Sequence, residues 1–441
     1  MNEPETEPRV LAKTHPPVSS ARKRTIPNFR WFICGLLLYA TTVNYMDRVT
    51  LSILEPTIAR ELHWSSTDYG IITGVFQIGY ALMMPIAGRL IDWLGLRIGY
   101  AASALLWAGS SMCHAAARTA AQFAWARLGL GLGEAANFPA CIKAVADWFP
   151  RRERALATGI FNGGSNLGAI VGPLLVPWVA SVYSWHAAFL CTGSLSLSWV
   201  ILWLIFYREP ERHPRLSAEE LALIRSDQEQ TPASTGVPYA RLITNRAAWA
   251  FAIGKFLTDP VWWFYLFWLP NFLHNRYGLN LIHLGAPLVA VYVGSAFGSI
   301  FGGWLSSFLL KRGWQVGTAR KTAMLVCALA VVSIIYVPQT GGHLWLAVGL
   351  IAIATASHQG WSANLFTITS DCFPRSAVGS VVGLGGLAGA VGAVIAQPAT
   401  GRWLDYSHNY YAPLFYLAGS LYLLSLLIIQ LLLPRFEQQK I

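Results

Sequence analysis

Apolar stretches of 18 to 27 residues alternate with short polar ones along most of the chain. Strands are rarely half that long, so the pattern predicts helices. Twelve such stretches occur, approximately 30–54, 67–92, 97–117, 121–145, 155–178, 186–207, 247–273, 284–310, 321–338, 344–369, 377–400 and 412–434. A helix of about 20 residues crosses the hydrocarbon of a bilayer with its backbone bonds satisfied internally. The one long polar segment, Arg208 to Arg246, contains Glu209, Glu211, Glu219, Glu220 and the breakers Pro210, Pro214 and Pro232. It divides the spans six and six. The predicted organisation is a tail over 1–29, a six-helix bundle over 30–207, a linker over 208–246, a second bundle over 247–434 and a tail over 435–441.

Composition supports an all-α integral membrane protein: 54% of the 441 residues are hydrophobic and 12% charged, against about 25% charged in soluble domains. A net charge of +11 raises nucleic acid as a partner, but the bases fall in short runs between spans and form no basic domain. They read instead as topology determinants. With the N-terminus inside, Arg60, Arg118, Arg276 and Arg402 lie outside, and Arg48, Arg127 and Lys255 lie within spans. The rest of the 32 bases fall inside or at inner span ends, which predicts cytoplasmic termini. The first tail has a basic Arg22-Lys23-Arg24 cluster but no apolar core with a cleavage site, so it reads as a cytoplasmic tail rather than a signal peptide. Six scattered cysteines without CxxC spacing imply neither disulfides nor a metal site. No HExxH, Walker loop or clustered nucleophile and base argues for an enzyme or an ATP-driven pump, and no cofactor is expected.

The halves repeat each other. Asp147-Trp148-Phe149-Pro150-Arg151 recurs 224 residues later as Asp371-Cys372-Phe373-Pro374-Arg375. At the same offset Gly159 matches Gly383 and Gly168 matches Gly392. A parallel duplication of six-span bundles is a plan of transporters whose site lies between the repeats near mid-membrane. A channel would instead favour polar rings repeated by oligomer symmetry, whereas this chain carries its own pseudosymmetry and isolated charged residues; a monomer is expected.

Gly88-Arg89-Leu90-Ile91-Asp92-Trp93-Leu94-Gly95-Leu96-Arg97, between the second and third spans, resembles the loop signature of the major facilitator superfamily. The resemblance implies that Gly88 permits close helix approach while Asp92 and Arg97 form a charge latch. A degenerate copy, Gly303-Trp304-Leu305 with Lys311-Arg312, carries Ser307 in place of an acid. Asn44-Tyr45-Met46-Asp47-Arg48, Arg127 to Pro139 (RLGLGLGEAANFP) and Trp148 to Arg154 (WFPRRER) are similar to the anion:cation symporter family within it. Trp262 to Pro270 (WWFYLFWLP) and His358 to Asn364 (HQGWSAN) narrow the similarity to its hexuronate and sugar-acid transporters. The implied location is the bacterial inner membrane.

An ionised side chain at bilayer depth costs at least about 2.5 to 3.5 kcal/mol, so each needs a partner or a wet cavity. Span interiors hold three bases, Arg48, Arg127 and Lys255, and three acids, Asp47, Glu134 and Asp259. Equal numbers allow neutral structural pairing. Asp47 and Arg48, however, are adjacent and point about 100° apart, so each must look elsewhere. Arg127 and Glu134 share a face across about 10.5 Å of rise, close enough to lean together or to share a water or substrate. Arg grips a carboxylate bidentately at any physiological pH, whereas a carboxyl group can load a proton. The resemblance assigns Asp47 and Glu134 as protonation sites, Arg48 as carboxylate binder and Arg127 as the residue that tunes Glu134.

A polyhydroxylated anion also needs amides, hydroxyls and aromatic faces. Tyr45, Tyr80, Asn162, Ser165 and Asn166 offer them in the first half, and Lys255, Trp262, His358, Gln359, Trp361, Ser362 and Asn364 in the second. Each has a plainer alternative. Trp262, Trp263 and Trp268 also suit packing, Lys255 and Asp259 an ordinary i,i+4 ion pair, and His358 a structural hydrogen bond. The expected activity is proton-coupled uptake of hexuronates such as galacturonate or glucuronate by alternating access. Aldonates or other small organic anions are the alternative cargo, and a transporter-like receptor is the alternative class.

Overall fold

The computed structural model describes residues 26–226 and 242–438. Residues 1–25, 227–241 and 439–441, and with them most of the first tail, part of the linker and the chain's end, lie outside the described residues.

The first half contains α1 (Phe29–Leu62), α2 (Ser66–Leu94), α3 (Leu96–Cys113), α4 (Ala120–Glu134), α5 (Asn137–Trp148), α6 (Arg151–Val182) and α7 (Trp185–Phe206). A short linker helix α8 (Ala218–Arg225) follows. The second half contains α9 (Arg246–Tyr277), α10 (Gly285–Lys311), α11 (Val316–Val331), α12 (Leu344–Cys372), α13 (Arg375–Tyr406) and α14 (Ala412–Leu432). With α4 and α5 taken as one broken crossing, each half presents six rods. Seven helical segments among the described residues are long and apolar enough to cross a membrane by length and composition.

The repeated sequence makes a repeated corner. Pro150 precedes α6 with φ −62° and ψ 152°, and Pro374 precedes α13 with φ −64° and ψ 152°. The ring fixes φ and keeps the preceding Phe149 and Phe373 extended, so the fifth and eleventh crossings start alike. A second symmetry lies beside it. Arg97 at the start of α3 donates to Leu204 O near the end of α7, and Lys321 early in α11 donates to Leu433 O and Pro434 O just beyond α14. In both halves a cation meets the carbonyl end of a helix, where the macrodipole favours it.

The halves meet along α2 with α13, α6 with α10, and α1 with α9. Close crossing is possible because Gly70 has no side chain: a Cβ there would sit 2.6 Å from the Gln397 carbonyl oxygen. Side-chain hydrogen bonds joining the halves gather at the end opposite the termini. Tyr69 donates to Phe267 O at 2.8 Å. Asp405 accepts from the backbone N–H of Ser66 and Thr67 at 2.8 and 2.7 Å, two otherwise free donors of the first turn of α2. On the terminal side, Glu220 of α8 accepts from Phe29 N, Arg30 N and the Arg30 guanidinium, while Arg30 also pairs with Glu153 of α6. The linker is thereby pinned to the first half, with His213 packed on Phe29.

Candidate functional site

The centre of the first half is an ion pair between helices. Arg48, midway along α1, lies 2.7 Å through Nη2 and 2.8 Å through Nε from Glu134 Oε2, and both side chains are almost fully buried. Glu134 is the last residue of α4. The chain turns through Ala135 and Ala136 before α5 begins, and Pro139 fits the first turn of that helix, where its missing N–H costs nothing. Gly133 lets α4 press on α3, since a Cβ there would meet Trp107 N at 2.6 Å. Break and glycine together place the carboxylate against α1.

Four rings wall the guanidinium: Tyr45 at 4.5 Å, Trp263 at 5.2 Å, Tyr80 at 5.3 Å and Phe76 at 5.4 Å from the ring centroids. Trp263 comes from α9, so the cage spans both halves. Electron-rich faces stabilise the cation while excluding water that would screen its pairing with Glu134. Glu134 Oε1, Asn44 Nδ2 and Arg127 Nε are buried with no hydrogen-bond partner. These are groups a ligand or water can satisfy.

Arg127 does not lean on Glu134. Two helical turns separate them, and Arg127 instead donates through both terminal nitrogens to Arg48 O at 3.3 Å, with Phe76 beneath it. Asp47 points away from the seam between the halves. It accepts from Ser111 Oγ of α3 at 2.7 Å and Ser196 Oγ of α7 at 2.5 Å. The adjacent charges of α1 therefore find different partners.

In the second half Lys255 pairs with Asp259 at 2.8 Å along α9, with its ammonium over Phe366. Trp262 stacks on His358 with centroids 5.1 Å apart and planes 9° from parallel, and His358 Nδ1 shares a 2.5 Å hydrogen bond with Tyr422. Trp361 is fully buried against Tyr422. Asn364 donates to Gly302 O and Gly360 O, holding α10 to α12. Gln359 and Ser362 are half-buried, as are Ser165 and Asn166, while Asn162 is exposed and its carbonyl accepts from Ser165.

The loop residues stand apart. Asp92 pairs with Lys143 of α5 rather than with Arg97, and nothing lies within 4 Å of a Cβ built on Gly88. In the second half Arg320 joins Asp371 of the repeated corner to Ser306, the residue before Ser307.

Sequence reasoning passed over Phe76, Ser111 and Ser196, ordinary residues on apolar helices. It also passed over Glu55, which fell one position beyond the predicted first span. α1 in fact continues to Leu62 and buries Glu55 to 3% exposure, so that it joins Asp47 and Glu134 as a buried acid of the crossing helices.

The sequence profile of the Major Facilitator Superfamily matches residues 37–397. The chain belongs to the major facilitator superfamily. It is 34% identical to the hexuronate transporter of Escherichia coli (strain K12), over 92% of this chain and 94% of that one. It is 35% identical to the galacturonate transporter of Dickeya chrysanthemi, over 70% of this chain and 90% of that one. Its fold is similar to that of a bacterial homolog of the human lysosomal transporter Spinster, with a TM-score of 0.71, 16% identity and coverage of 92% and 96%. As a member of the superfamily it is a multi-pass membrane transporter and not an enzyme.

Proposed function

We propose that the protein is a proton symporter of the bacterial inner membrane that imports hexuronates such as galacturonate or glucuronate. It works by alternating access as a monomer with cytoplasmic termini. The Arg48 and Glu134 pair in a ring-walled cage that crosses the seam carries this reading. The names of the hexuronate and galacturonate transporters to which the chain is similar support the cargo.

Empty, the cage is electrically balanced, and an arriving carboxylate would compete with Glu134 for one guanidinium. A proton on Glu134 removes that competitor. Arg48 then turns its donors to the sugar acid, whose negative charge replaces the one the proton cancelled. Tyr45, Tyr80 and the Trp262 and His358 stack offer hydroxyls and flat faces to the sugar ring. Arg127 holds the Arg48 carbonyl, and Asp47 is the second proton site, screened from cargo by Ser111 and Ser196.

Proteoliposomes test the scheme. Glu134→Gln mimics the protonated acid, so radiolabelled galacturonate exchange should persist while acid-driven accumulation against a gradient disappears. Accumulation equal to the unmodified protein would remove Glu134 from the coupling. A thermal-shift screen across uronates, aldonates and dicarboxylates checks the cargo, and stabilisation by dicarboxylates alone would overturn the hexuronate assignment.

A further inference from the structure

The extension of α1 beyond its predicted end buries a carboxyl group that the central cage does not use. Glu55 follows Arg48 by seven residues, about 10.5 Å further toward the closed end. Its Oε2 accepts from Asn271 Nδ2 of α9 at 2.5 Å. Asn271 Oδ1 is fixed in turn by Tyr411, just before α14, and by Asn275 Nδ2 at 2.8 Å. An acid from the first half therefore meets an amide held in place by the second, and the contact depends on the two halves staying shut.

The surrounding ionisable groups are few. On α1 itself, Arg60 is exposed and directed to His274 of α9 at 3.4 Å, and Glu61 accepts from Trp185. Tyr69 of α2 and Tyr411 lie within electrostatic reach, and Tyr69 in turn feels Arg127 of α4 and Tyr292 of α10. Among the described residues no base pairs with Glu55, and Asn271 is its one polar partner. An ionised carboxylate in such a dry seam would lack both water and a counter-charge, whereas a neutral acid with an amide partner is tolerated. Parting α1 from α9 would readmit water and let the group ionise.

We propose that Glu55 is the proton-sensing element of the gate opposite the termini. The gate closes as Glu55 takes a proton from water on that side, and it reopens as Glu55 returns the proton to the same side. Glu55 thus sets the balance between conformations without adding to the protons moved per cycle. It is a positioning residue, and its role holds whichever anion is carried.

Spin labels at Tyr183→Cys and Tyr406→Cys, both strongly exposed at that end in opposite halves, report the gate by pulsed dipolar spectroscopy. The background replaces Cys113 and Cys191 with Ala, and the protein sits in nanodiscs without cargo. The short-distance population should grow relative to the long one as pH falls from about 8 to 5, by up to about tenfold per pH unit within the titration. Glu134→Gln should keep the shift. Glu55→Gln should stay closed, with less than about a twofold change across the range. Asn271→Leu, with an unchanged melting temperature as its folding check, should favour the long distance at every pH. A shift that survives Glu55→Gln, is absent from the unmodified protein, or vanishes in Glu134→Gln alone overturns the proposal.

Discussion

The two halves share a plan yet place their charges differently. In the first, Arg48 of α1 pairs with Glu134 of α4, so the ion pair ties two helices together. In the second, Lys255 and Asp259 lie four residues apart on α9, so the ion pair itself closes within one helix while its ends pack on Phe366 of α12 and Gly389 of α13. An interhelical pair can be exchanged for a ligand at the cost of changing how helices sit. A pair along one helix can break without removing an ion pair between helices. In the proposed scheme anion and proton chemistry fall to the first half, which also supplies three of the four rings around Arg48, and the second half closes the cage with Trp263.

The sharpest way to break this contrast is Arg48→Met. It should abolish transport and, by leaving Glu134 buried without its partner, cost about 3 to 5 kcal/mol in denaturant unfolding. Arg48→Met with Glu134→Gln should regain most of that stability but no transport. If the double variant is no more stable than the single one, the pair is not what joins α1 to α4.

Trp263→Ala removes the ring that the second half lends to Arg48. About 1 to 2 kcal/mol of cation–π stabilisation in a dry site corresponds to a KM raised roughly tenfold. An unchanged KM in uptake assays would make the cage a property of the first half alone. Lys255→Met leaves the largely buried Asp259 without its partner and should cost up to about 3 kcal/mol of stability, while the KM for uptake stays unchanged. Loss of uptake in that variant would mean that the second half holds cargo by charge and would erase the contrast.

The smallest effect concerns the linker. Burial, helped by Arg208 and Arg215, holds His213 below its ordinary value, and its ring accepts from Arg215 N. Because the docked state favours the neutral ring, docking is strongest above about pH 6.5 and weakens as pH falls through that value. The protection of the α8 amides, taken relative to the intrinsic exchange rate at each pH, should therefore fall between about pH 7.5 and 5.5. Equal protection at both ends of that range would count against a titrating anchor.

Much of this architecture was legible along the chain. Crossing helices announce themselves because hydrophobicity is a local property summed over one rod, and the repeated Phe-Pro corner is visible because proline acts on its own backbone and its neighbour's. The break after Glu134 was hidden inside an apolar run predicted as one span over 121–145, since glycine and alanine suit both a helix and its interruption. The 3-10 segment over Val332–Thr340 was hidden at the end of the ninth span because an apolar run reads alike in a 3-10 and an α-helix. Partners of charges were harder still. Periodicity separates Asp47 from Arg48, but it cannot say that Ser111 and Ser196 await one and Phe76 the other, because those contacts arise only when α1 meets α2, α3 and α7.

Asp405 offers a last contrast with Glu55 at the same end of the molecule. It clasps the backbone of Ser66 and Thr67 where solvent reaches all three. When such a clasp parts, water takes the place of each lost hydrogen bond, so little is forfeited and little must be recovered. It behaves as a wet hook that can be unfastened on every stroke, and dissolved salt, by masking its charge, would loosen its grip.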